Sequence, residues 1–192
     1  MPTPDRTSLA QIVEAAREIL ESAGMAGLTM QAVADRVGVR APSLYKRVRS
    51  RGDLIGLVAE ATVADLAARL EAILTGTDPR KDLTELARAF RAFAHAHPVG
   101  YRLIFDWGPD TAKPDQASFA LAAAPLLRIA ADLAGPEHAL EAARTITAWA
   151  NGFLSMELAG AFNLGGDLDV AFEYGVARLA DAFIGTRPAA IG

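Results

Sequence analysis

The chain has 192 residues, with 19 Lys and Arg against 23 Asp and Glu, no Cys, and a hydrophobic share of 52%. That length holds one large or two modest cores, and the lack of Cys excludes disulfides, thiolate catalysis and Cys-based zinc sites. Every uncharged run is too short for a membrane span, and the opening Met-Pro-Thr-Pro-Asp-Arg lacks the basic-then-apolar pattern of a signal peptide, so the protein is expected in the cytoplasm.

The 41 alanines and the scarcity of β-branched runs predict an all-α chain of about nine helices. Charge is uneven along it. Residues 1–55 carry a formal +2 and residues 56–192 carry −6, so only the N-terminal part suits a polyanion.

In chain order, Ser8-Leu9-Ala10-Gln11 is a capping-box pattern, and Leu9, Ile12, Val13, Ala16, Ile19 and Leu20 continue an apolar stripe to a stop at Ala23-Gly24. Thr29 can cap a short second helix, with Leu28 stapled against Val33 and with Ala32, Val33 and Val37 facing inward. Gly38 stands where a left-handed residue lets the chain reverse. Pro42 suits the first turn of a third helix of about two turns, which Ser50 ends by capping the next. Two short helices around a Gly turn form a helix-turn-helix. From Arg36 to Gly52 the chain also carries Arg36, Arg40, Lys46, Arg47, Arg49 and Arg51 with no Asp or Glu between them. Charge runs are commonly plain solvated surface. Here the run coincides with the Gly turn and the Pro-started helix, and the reading is a DNA-binding surface.

A helix from Arg51 to Leu74 follows without a linker, so its movement would reach the DNA-reading segment. After Thr75-Gly76-Thr77-Asp78-Pro79 come helices over 80–96, 98–107, 115–134 with Pro125 as a kink, from Pro136 to about Asn163, and from an Asp167 cap to Gly185. The domains are therefore set at 1–50, a three-helix DNA-binding domain, and 51–192, a helical domain for ligand binding and dimerisation. The last two helices are apolar beyond the needs of one face. Ile146, Leu154, Leu158, Phe162, Phe172, Val176, Leu179 and Phe183 are expected at a two-fold interface, with an ordinary intrachain core as the alternative.

The span 8–55 resembles the TetR family of transcriptional regulators. The resemblance is carried by Gly27-Leu28-Thr29, Val33-Ala34, Val37-Gly38-Val39, Pro42-Ser43-Leu44-Tyr45, Val48, Arg51 and Asp53-Leu54. Downstream, His97-Pro98, Tyr101-Arg102-Leu103-Ile104-Phe105 and Trp149-Ala150-Asn151-Gly152-Phe153 are similar to the subgroup with a Trp-His-Gly signature, Asn151 standing where that signature has His. The resemblance implies a cytoplasmic homodimer, usually a repressor, released from a palindromic double-stranded operator by a small molecule. By position it implies phosphate contacts from Thr29, Tyr45, Arg47 and Arg51, and base-edge contacts from Gln31, Arg40, Ala41, Pro42, Ser43 and Lys46. Tyr45 can do both, and Lys46 carries the largest specificity expectation because a cation donates to guanine acceptors.

A pocket needs apolar walls with a few polar groups. Phe90, Phe93, His97, Tyr101, Phe105, Trp107, Phe119, Trp149, Phe153 and Met156 are candidates, with Asn151 as a polar anchor; for any one of them a plain core role is the alternative. Together they favour an apolar or aromatic effector. His95 and His97 lie about 200° apart on a helix and cannot share an ion, and no Glu-x-x-His occurs, so no metal and no cofactor are expected. The competing functions are a small helical enzyme or carrier for an apolar molecule and a nonspecific DNA-binding protein. The sequence shows no nucleophile with a spaced base and no phosphate loop, and its basic patch is confined.

Overall fold

The structure is a computed structural model that describes residues 7–105 and 115–185. Among the described residues there are nine α-helices, one 3₁₀ turn at Pro136–His138, and no strand: α1 Leu9–Gly27, α2 Met30–Arg36, α3 Ala41–Leu44, α4 Arg51–Glu71, α5 Pro79–Ala96, α6 Pro98–Phe105, α7 Gln116–Ala134, α8 Ala139–Leu158 and α9 Leu168–Gly185.

The local signals that bound helices are mostly where the sequence puts them. Ser8 accepts from the Gln11 amide at 3.1 Å while Gln11 accepts from the Ser8 amide at 2.8 Å, the reciprocal capping box. Ser50 Oγ accepts the Asp53 amide at 3.0 Å, and Asp167 accepts the Asp169 amide at 2.8 Å. Four elements differ from expectation, one of them α4, which ends at Glu71 and not at Leu74. Gly24, at φ 67 and ψ −175, interrupts α1 as a stop should, but the helix resumes and reaches Gly27. The third helix is one turn instead of two, because the Arg47 and Val48 amides both turn back onto the Leu44 carbonyl. The helix expected to reach Asn163 ends at Leu158, where Gly160 takes φ 63 and the Gly160 and Ala161 amides bond the Glu157 and Met156 carbonyls. That is a Schellman stop, and it satisfies carbonyls the helix end would otherwise leave bare. Pro125 is buried within α7, which continues past it to Ala134.

The chain forms two compact units. Unit 1 comprises residues 1–65 and 96–119, and unit 2 comprises residues 66–95 and 120–192. Unit 1 is built on Ile12, Ala16, Leu20, Leu28, Val33, Leu44, Val48, Leu54 and Val58, all essentially buried, and on Tyr101, Leu103 and Ile104 of α6. Here α6 lies against α1, and the carboxylate of Glu21 accepts the Val99 and Gly100 amides at 3.1 and 2.7 Å, capping the start of α6. A Cβ at Gly100 would sit 2.9 Å from Glu21 Oε1 and 3.4 Å from Thr62, so a side chain there would push the carboxylate off its cap.

Unit 2 closes around Phe93, Leu83, Leu133, Leu154 and Phe172. Each apolar side chain of that size contributes about 1.5–3 kcal/mol when fully buried. Trp149 packs against Phe172 and Phe153 at 5.3 and 5.8 Å, and Phe153 against Phe162 and Phe172 at 4.9 and 5.2 Å. A Cβ at Gly175 would fall 2.2 Å from the Trp149 ring, so the indole of α8 lies directly on the backbone of α9 there. By length and composition α7 would suffice to cross a membrane, a property its uncharged runs, cut by Arg128 and Asp132, do not disclose. Its Leu126, Ile129 and Leu133 are buried in unit 2, and its Arg128 pairs with Glu71.

Candidate nucleic-acid interface

The reading segment rests on two anchors, Leu44 and Val48, which are 1% and 0% exposed. Thr29 Oγ accepts the Ala32 amide at 3.1 Å and starts α2; Gly38, at φ 73, turns the chain; Pro42 sits in the first turn of α3. With the anchors facing inward, Arg40, Pro42, Ser43, Tyr45, Lys46 and Arg47 are exposed, Tyr45 by 54%, while Ala41 is half-buried. Gln31 is exposed too, and its amide donates to Asp35 at 2.7 Å.

The six cations are not electrically alike. Arg36 is closed by Glu18 at 2.5 Å, a partner from the middle of α1. Arg49 pairs with Asp53 at 3.2 Å, an interaction that raises the guanidinium's pKa and lowers the carboxyl's, chiefly through the side-chain hydrogen bond. Arg51 donates from Nε to the Leu28 carbonyl at 2.6 Å and from Nη2 to the Met25 carbonyl. The side chains of Arg40 and Lys46 make no ion pair or hydrogen bond among the described residues; Arg40, the N-cap of α3, accepts the Ser43 amide on its carbonyl at 2.8 Å but makes no side-chain cap. Within the run from Arg36 to Gly52, the cationic side chains without an acidic or hydrogen-bond partner among the described residues are thus those of Arg40 and Lys46, both in the exposed row. The Arg49–Asp53 pair is readable from its i, i+4 spacing; the Glu18 and carbonyl partners are not, since both come from α1 and its end.

The pocket candidates divide between the units. His97, Tyr101, Phe105 and Phe119 belong to unit 1, whereas Phe90, Phe93, Trp149, Asn151, Phe153 and Met156 belong to unit 2; Trp107 lies outside the described residues. Phe90, Phe93 and Tyr101 are buried, and Trp149 and Phe153 are stacked in the aromatic cluster, while Met156 is 46% exposed. A cleft of about 290 Å³ in unit 1 takes His97 as part of its wall, but the rest of its lining includes Glu14, Arg17, Glu18 and Glu21, a charged set and not the aromatic one expected.

The interface candidates need a correction. Ile146, Leu154, Phe172 and Val176 are 3% exposed or less and are closed inside their own unit, so they cannot meet a second copy; Leu158, Phe162, Leu179 and Phe183 are half-buried. An apolar stripe shows which side is covered, not whose residues cover it. The large apolar side chains left exposed on α8 and α9 are Leu140, Met156, Val170 and Tyr174. Close by, a charge network that the sequence does not announce joins three segments: Arg91 lies between Glu157 and Asp169, 5.0 Å over the Phe172 ring, and His95 Nε2 is 3.2 Å from Glu157. The Arg91 hydrogen bond, followed by that of His95, holds the Glu157 carboxyl below its ordinary pKa.

Residues 12–58 match the family model of bacterial regulatory proteins of the TetR family, and residues 83–179 match that of the tetracycline repressor-like C-terminal domain. An uncharacterised helix-turn-helix-type transcriptional regulator of Mycobacterium tuberculosis is 31% identical over 180 residues, 92% of this chain and 82% of that one. The transcriptional activator FasR of Mycolicibacterium smegmatis is 35% identical over 97 residues, 50% of this chain and 44% of that one. Among solved structures, a TetR variant of Acinetobacter baumannii in complex with minocycline superposes with a TM-score of 0.69 at 26% identity, covering 95% of this chain and 99% of the other.

Proposed function

This chain belongs to the TetR family of DNA-binding transcriptional regulators, and from that premise we propose that it is a homodimeric repressor released from its operator by a small apolar or aromatic effector. It is a regulator and not an enzyme, as its family and relatives are. The observation that carries the proposal is the exposed row from Arg40 to Arg47, set on buried Leu44 and Val48, in which Arg40 and Lys46 meet no acidic partner among the described residues. Residues 1–50 form the DNA-binding domain in this reading and 51–192 the effector and dimerisation domain.

Phosphates would be met by Thr29, Tyr45 and Arg47. The Thr29 hydroxyl accepts a backbone amide and keeps its own proton to donate. Gln31, Arg40, Ala41, Pro42, Ser43 and Lys46 would face base edges in the major groove, where each good bidentate pair discriminates by about 1–3 kcal/mol. One short reading helix covers few bases, which favours two copies on a palindrome with half-sites roughly 34–36 Å apart. Exposed Met156, Val170 and Tyr174, with half-buried Leu158 and Phe162 at their margin, supply the apolar surface for pairing. Effector release is supported by likeness to a regulator crystallised with minocycline. The aromatic side chains of unit 2 favour an apolar ligand, and a protein that reads chromosomal DNA works in the cytoplasm.

The test is selection of bound sites from random duplex DNA, followed by a reporter placed behind the selected site. A symmetric site and a reporter silenced by the protein are expected. A reporter that rises instead makes the protein an activator, as its relative FasR is named. Binding without any sequence preference removes the regulator's operator altogether.

A further inference from the structure

We propose that Arg51 is a positioning residue: it sets the reading helices by clasping the turn between α1 and α2, and it does not contact a phosphate. The inference rests on the DNA-binding reading and departs from the role that the family resemblance gives this position. Arg51 is the first residue of α4, a place where the positive end of the helix dipole disfavours a cation. Its side chain reaches across 23 and 26 residues of sequence to the carbonyls of Leu28 and Met25. Those carbonyls are presented by the end of α1, where the local dipole favours a cation and the last carbonyls lack helical partners. Just before Met25, Gly24 at φ 67 turns the chain out of regular helix.

The clasp holds three things at once. Leu28 is 0% exposed and precedes Thr29, the cap of α2, while Arg51 follows Ser50, whose Oγ caps the first turn of α4. Fixing Leu28 and Met25 to Arg51 therefore fixes the start of α2, and with it the Gly38 turn and the exposed row, against the first turn of α4. A planar guanidinium can give two N–H groups to two separate carbonyls, whereas the compact ammonium of Lys is a point charge without that fork. Charge alone is then insufficient at this position.

Arg51→Lys, Arg51→Gln and Lys46→Ala test this beside the unchanged protein, with the selected duplex and a random duplex of equal length titrated over a range of salt, and folding checked by circular dichroism. Both Arg51 variants are expected to lose tenfold or more in affinity for the selected duplex, to change less than about threefold on the random one, and to leave the slope of log K against log salt unchanged. Arg51→Lys should not rescue. Parental affinity in Arg51→Lys, with a slope flattened in Arg51→Gln by about 0.9 for each phosphate no longer neutralised, overturns the inference. Equal losses on both duplexes that follow a fall in folded fraction overturn it too, as they mark a merely structural residue. If Arg51→Gln does not fold, Arg51→Lys alone decides. An unchanged protein that selects no duplex, with Lys46→Ala equally inert, removes the DNA-binding reading itself and this inference with it.

Discussion

The open cations of the reading row in unit 1 differ from five arginines of unit 2. In unit 2, Arg80, Arg88, Arg91, Arg128 and Arg178 are each met by a carboxylate of the same unit: Asp181, Glu173, Glu157, Glu71 and Asp181 again. In the reading row of unit 1, Arg40 and Lys46 meet none among the described residues, although Arg36 and Arg49 nearby do. A count of cations does not separate these surfaces. Their acidic partners do, because a paired guanidinium has little field left to attract a phosphate. The contrast also explains how an acidic chain can present a positive face.

Substitutions test that contrast directly. The largest effect is expected at Arg91→Met. It leaves the Glu157 side chain, 7% exposed, without its main partner, and removing one member of such a pair costs on the order of 3 kcal/mol. For a chain of this size that is a fall of roughly 6–12 °C in Tm, with duplex affinity unchanged at low temperature; a fall under about 2 °C would place the network among dispensable surface pairs.

Acid should undo part of the same contact. The Glu157 pKa is lowered by Arg91, so its contribution is full above the ordinary carboxylate value of 4.5 and is lost as pH falls through the depressed folded value. The stability difference between the unchanged protein and Glu157→Gln, followed by denaturant titration, is expected to shrink as pH falls below the ordinary carboxylate range. A difference that grows as the solution is acidified below that range would contradict this sign.

Lys46→Ala should leave Tm in place and lose about 1–3 kcal/mol of discrimination at one base position, read by competition between singly altered duplexes. A Tm loss without a change in base preference would move Lys46 to the paired class. Arg88→Ala, at a side chain 51% exposed, should cost under about 1 kcal/mol and alter neither readout much. A larger loss would mean that Arg88, Glu85 and Glu173 act as a network.

How far the sequence discloses this depends on the range of each interaction. Ser8 with Gln11, Thr29, Gly38, Ser50 and Asp167 act within a few residues, and each is legible from the chain alone. The partners that decide which cations stay open are remote: Glu18 lies 18 residues from Arg36, and the Leu28 carbonyl 23 from Arg51. Gly24 is legible as a break, but the short helical stretch to Gly27 beyond it is not. Gly160 combines glycine with the end of an apolar stripe and so can be read as a stop, yet Phe162 beyond it suggests continuation. For the interface and pocket, periodicity marks apolar faces, but it cannot distinguish Phe172, buried by its own chain, from Tyr174, two positions on and 66% exposed.

Because Glu21 caps α6, the order of synthesis and the order of folding differ. Unit 1 is discontinuous, and Tyr101, Leu103 and Ile104 fill its core from residues made long after the reading helices. A nascent chain that has emerged only as far as Asp65 carries every helix-turn-helix residue, yet its Glu21 has no amides to cap and the core lacks α6. Closure must wait until Phe105 is outside the ribosome, after the intervening segment of unit 2 has already appeared. The reading head is thus translated ahead of the helix that completes its core, and a fragment cut at the sequence boundary near Ser50 would inherit an open core.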